Sequence, residues 1–150
     1  MSILDKLFGD SGKPRTHPAK ADIPMQKVLD EFAALGPKPI ETLSPQEARL
    51  QPTPADAVKK MLGSSRERED PTLGVATQDI TIPGAAGPLR ARVYRPKSND
   101  PDIKPVVVYF HGGGFVIADL DVYDSSPRGI ARFADVVVVS VHYRQAPEHK

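Results

Sequence analysis

Apolar positions recur along this chain with three different spacings, and each predicts a different kind of element. Met25, Val28, Leu29 and Phe32 stand at i, i+3, i+4 and i+7, the stripe of an amphipathic helix that Asp22 can cap and Gly36 and Pro37 can end. "SPQE" (44–47) and "TPAD" (53–56) each set a hydroxyl three residues ahead of a carboxylate, with proline at the first helical position, so each should open a short helix. From about residue 76 a period of two takes over. "TQDITIP" and "PLRARVYRP" put Ile80 and Ile82, then Leu89, Ala91 and Val93, on one face, and "GAAG" makes the turn of an antiparallel pair. "PVVVYF" (105–110) and "VVVVSV" (136–141) have no polar face, the pattern of strands buried on both sides in a parallel sheet. Between them Ser126 and Pro127 can open a helix whose expected inner face is Ile130, Phe133 and Ala134.

Strand, glycine loop, helix and strand in that order form the crossover unit of an α/β sheet. Of 16 prolines, 14 precede residue 106, which sets a loosely connected helical region apart from the sheet-forming part. Residues 9–24, polar and rich in turn formers, read as a mobile connection. Composition removes several function classes. Twenty basic against 19 acidic side chains, scattered along 150 residues, give no basic stripe for a nucleic acid to follow. Cysteine is absent, which excludes a disulfide scaffold, thiolate chemistry and cysteine-held zinc. Near the N-terminus, Ile3, Leu4, Leu7 and Phe8 are interrupted by Asp5, Lys6 and Asp10, so no stable membrane insertion and a cytoplasmic location are expected.

In α/β sheets ligands sit beyond the carboxyl ends of the strands, and "HGGGF" (111–115) falls there. The dinucleotide fingerprint does not fit, because Ile117 occupies the position of its last glycine. The Walker pattern fails for want of Gly-Lys-Ser/Thr. A tight turn after a buried strand would explain one or two glycines. Three in succession let backbone N–H groups approach a ligand closely, which suits donors aimed at an oxygen that becomes negative in acyl transfer.

"HGGGFVIADLDVYD" followed by "VVVVSVHYRQAPEHK" resembles the hormone-sensitive-lipase-type branch of the α/β-hydrolase family, the bacterial carboxylesterases, and the likeness covers most of residues 76–150. Residues 20–65 resemble the first part of the cap those enzymes place over the site. The resemblance implies an incomplete α/β-hydrolase fold: a linker and helical cap segment over 1–70, then the N-terminal part of the hydrolase domain over 71–150. It implies a small ester substrate, a serine acyl-enzyme mechanism and no cofactor or metal. The amides of Gly113 and Gly114 would be oxyanion donors, in a loop shared with His111 and Gly112. His111 would brace that loop by hydrogen bonding rather than act as a base. Arg144 and Glu148 would pair in the turn after the second strand. Ala118, His142 and Gln145 stand where the pattern has glycine, aspartate and leucine; the chain order serine, acid, histidine argues against catalysis by His142.

The nucleophile of such enzymes sits in G-x-S-x-G, and no such pentapeptide occurs in residues 1–150. "GDSGK" (9–13) fails at Lys13 and follows no apolar strand, so Ser11 reads as a linker serine; Ser125 and Ser126 read as helix capping. The expectation is therefore a chain truncated before the serine elbow and inactive alone, or else a non-catalytic remnant completed by a second chain. In either case 106–110 would be an uncovered apolar edge strand, open to self-association.

Overall fold

The helical region forms from local signals. The computed structural model describes residues 20–63, 74–97 and 103–150; the apolar N-terminal patch, Ser11 and most of the 9–24 connection lie outside the described residues. Helix α1 spans Ile23–Ala34, with the Asp22 carboxylate accepting from the Met25 N–H at 2.9 Å; it stops before Gly36, whose φ is +69°. Helices α2 (Pro45–Arg49) and α3 (Pro54–Leu62) both start with the predicted reciprocal caps. Glu47 accepts from the Ser44 N–H at 2.9 Å, Asp56 from the Thr53 N–H at 2.9 Å, and each hydroxyl accepts in return from the third amide. Lys60 and Glu31 form an ion pair that joins α3 to α1.

Strands β1 (Val75–Gly84) and β2 (Gly87–Pro96) are the expected antiparallel pair. Strand β3 (Val106–Phe110) runs parallel to β4 (Val137–His142), which pairs antiparallel with β2, giving the order β1-β2-β4-β3. Helix α4 (Ser125–Ala134) packs on this sheet over a core of Val75, Tyr94, Ala131 and Val138, with Tyr109, Ile130 and Val136 around it.

Three expectations need correction. The buried face of α4 is Pro127 and Ala131 with Ile130 beside them, whereas Phe133 is 83% exposed. At 100° per residue Phe133 stands about 200° round the helix from Ala131, and Ala134, the last residue of the helix, is exposed. Ser125 and Ser126 do not cap α4. Asp124 occupies the cap position with no side-chain cap bond, its carboxylate being taken by the Tyr94 hydroxyl (2.8 Å), Arg92 (3.1 Å) and Arg128. Finally, β3 is not buried on both faces as its composition suggested but is the uncovered edge strand that was also expected: among the described residues it pairs with β4 alone, and Val106, Val108 and Phe110 are 62%, 57% and 62% exposed. Strand β4, flanked on both sides, keeps Val138, Ser140 and Val141 buried.

An ionic cluster ties the sheet to the turn before α4. The Arg92 guanidinium reaches Asp79 at 2.5 Å, Asp121 at 2.8 Å and Asp124 at 3.1 Å. The hydrogen bond to Asp79 holds Arg92 charged far above neutrality, and burial together with Asp124 pushes the Tyr94 hydroxyl up, so it remains a donor.

Candidate active site

The glycine loop leaves the carboxyl end of β3, and two of its glycines are fixed by close neighbours. A Cβ on Gly112 would stand 2.6 Å from the Tyr123 hydroxyl oxygen. Gly113 has φ +127°, and a Cβ there would stand 2.1 Å from the Ile117 carbonyl oxygen. Neither position admits a side chain without displacing its neighbour. Gly114 and Phe115 continue the turn at φ +58° and +61°. Among the described residues, the amides of Gly113 and Gly114 donate no hydrogen bond.

His111 is 4% exposed. Its Nδ1 lies 2.8 Å from the Gly112 carbonyl, which makes Nδ1 the protonated nitrogen, and its ring stacks on Tyr143 with centroids 4.5 Å apart. The Tyr143 hydroxyl donates to the His111 carbonyl at 2.8 Å. Tyr143, the residue after β4, thus holds His111 by both its ring and its backbone carbonyl.

Beyond the glycines the chain is held by its carbonyls. Phe115 O accepts from the Ala146 N–H (2.9 Å), Val116 O from Arg49 Nε (2.8 Å), and Ile117 O and Ala118 O both from Gln145 Nε2 (2.9 Å each). Arg49 also donates to Ala146 O at 2.8 Å and makes a two-pronged pair with Glu148 at 2.9 and 2.8 Å. The partner of Glu148 is therefore Arg49, with Gln46 in addition at 3.3 Å, and not the expected Arg144. Arg49 holds the Glu148 carboxyl down at about 2. Sequence reading missed Arg49, since the last residue of a five-residue helix has no local mark of partners 67 to 99 positions away.

A cleft of about 480 Å³ separates the helical region from the loop, lined by Phe32, Ile40 and Pro52 from one and by Gly113, Ile117 and His142 from the other. His142, at the end of β4, stacks on His111 with centroids 6.0 Å apart. Burial, then the nearby His111 and Arg90, push its pKa down, so it is a neutral imidazole in the cleft wall at neutral pH. Its Nδ1 and the Nε2 of His111 are buried without a hydrogen-bond partner among the described residues.

A parallel strand pair linked through a glycine loop and a helix, extended by an antiparallel hairpin, defines the opening part of an α/β hydrolase. Residues 107–150 match the family model for the α/β-hydrolase fold. The chain has the α/β-hydrolase fold and is similar to esterases of that fold. It is 41% identical over 128 residues to esterase LipI of Mycobacterium tuberculosis, covering 83% of this chain and 39% of that protein. It is 43% identical over 99 residues to 2-hydroxyisoflavanone dehydratase of Glycyrrhiza echinata, covering 61% and 30%. Among solved structures, the hyperthermophilic esterase of the archaeon Pyrobaculum calidifontis aligns with a TM-score of 0.63 at 36% identity, over 86% of this chain and 38% of that one. The chain thus spans less than half the length of these relatives. Among the described residues no helix is long and apolar enough to cross a membrane.

Proposed function

We propose that residues 111–114 are the oxyanion-binding half of a carboxylesterase site that acts on small esters through a serine acyl-enzyme. The observation that carries this reading is the pair of uncommitted amides at Gly113 and Gly114, with Gly113 in the wall of the cleft. Such donors bind a tetrahedral oxyanion more strongly than the ground-state carbonyl, and losing one typically slows acyl transfer ~10²–10³-fold. His111 braces the loop through its Nδ1–H, which the Gly112 carbonyl accepts. Residues 20–63 act as the first part of a cap, a role supported by the cleft they line and by the bond from Arg49 to Val116. An enolate oxygen would find the same donors, which accommodates a dehydratase among the relatives.

Residues 1–150 contain no G-x-S-x-G serine, so the reading includes that the chain alone does not turn esters over. Purified protein is assayed with a p-nitrophenyl short-chain ester. Absence of turnover beyond the buffer rate is expected; turnover abolished by a serine-directed phosphonate would show a nucleophile within these 150 residues and sink the half-site reading. The alternative of a module completed by a second chain, or by its own copy, draws support from the exposed apolar edge of β3.

A further inference from the structure

Of the four carbonyls that anchor the segment after the glycines, two rest on a single side-chain amide, that of Gln145. One of those two belongs to Ala118, whose φ of +69° lies in the left-handed region that a residue with a Cβ seldom adopts. Such a conformation persists only where surrounding bonds over-determine it. The other carbonyl, that of Ile117, is the group packed against Gly113, leaving no room there for a Cβ. The turn closes on the same residue, because the amides of Val116 and Ile117 both donate to Gly113 O at 3.0 Å.

We infer that Gln145 is a positioning residue of the oxyanion loop: its two amide hydrogens hold the Ile117 and Ala118 carbonyls, keep Ala118 left-handed, and thereby seat Gly113 against the cleft. The chemistry is specific to an amide, which supplies two donors from one nitrogen. A leucine supplies none. An ionised glutamate would turn lone pairs toward two carbonyl oxygens, and a protonated one would restore a single donor. The functional meaning rests on the reading of Gly113 as an oxyanion donor; the clamp itself does not.

Amide hydrogen exchange, followed by NMR in the 150-residue chain, reads the clamp at Val116 and Ile117, with the amides of the β1–β2 hairpin as reference for global opening. Gln145→Leu is expected to speed exchange at Val116 and Ile117 about tenfold or more relative to the hairpin. Adding Ala118→Gly should return it toward the parent rate, since glycine takes this φ without strain. Gln145→Glu should exchange fast at neutral pH and regain relative protection as its carboxyl protonates. Unchanged protection in both Gln145 variants at neutral pH overturns the clamp, and so does acceleration shared equally by the hairpin. Loss that Ala118→Gly does not restore overturns the coupling to Ala118. If the clamp behaves as expected while the Gly113 and Gly114 amides ignore a short alkyl phosphonate, the oxyanion reading fails and the clamp stands.

Discussion

Gly112 and Gly113 answer to different neighbours, and substitutions should separate them. Gly113→Ala meets backbone at the Ile117 carbonyl and is expected to cost about 1–3 kcal/mol in urea unfolding, with no side chain able to move aside. Gly112→Ala meets a removable group, the Tyr123 hydroxyl. Combining it with Tyr123→Phe should recover most of the lost stability, since the next atom of that ring stands 3.3 Å away. A double variant as unstable as Gly112→Ala alone would mean that the contact does not set the need for glycine. At this scale the sequence was informative about the loop and silent about its supports. His111 and the glycines are contiguous and fall at a strand end, so a local pattern finds them. Arg49 and Gln145 act through single long side chains toward carbonyls distant in the chain, and periodicity contains nothing about such bonds.

Helices and strands followed their local signals closely where those signals were chemical. Both capping boxes predicted from hydroxyl–carboxylate spacing formed, and so did the hairpin at 84–87. Failures came where burial decides. The face of α4 was misjudged because Phe133 is apolar yet points away from the sheet, and its N-terminal serines were outcompeted by Asp124, which the Arg92 cluster had already engaged. Strand β3 shows the largest consequence. Its composition suits a strand covered on both faces, yet it lies at the edge of the sheet and is exposed, as the resemblance had implied. Sedimentation should therefore reveal concentration-dependent self-association that Val108→Lys, a charge on the exposed strand, suppresses. A parent chain that stays monomeric at high concentration would remove the edge as a contact surface.

For the molecule as a whole, the Arg49–Glu148 pair fastens the helical region to the hydrolase part, and it should make that attachment pH-dependent. The Glu148 carboxyl lies at about 2, below its ordinary 4.5, so its contribution is complete above pH ~4.5 and is lost as pH falls toward 2. Thermal midpoints of the parent and Glu148→Gln should accordingly differ at pH 6 and converge near pH 2; a gap that persists in acid would mean that Glu148 acts other than through its charge. The likeness to esterases was legible in "HGGGF" and "YRQAPEH", whereas the bonds from Arg49 to Val116 and Glu148 left no mark in the sequence.

The proposed site stands on Gly113 and Gly114 offering their amides, uncommitted among the described residues, to an oxyanion. Titrating the ¹⁵N-labelled chain with a short alkyl phosphonate tests it most directly. Saturable downfield shifts of those two amide protons are expected, weakened in Gly113→Ala, with the β1–β2 hairpin unmoved. Saturable shifts confined to other amides, or none at the two glycines while the loop remains ordered, would contradict it.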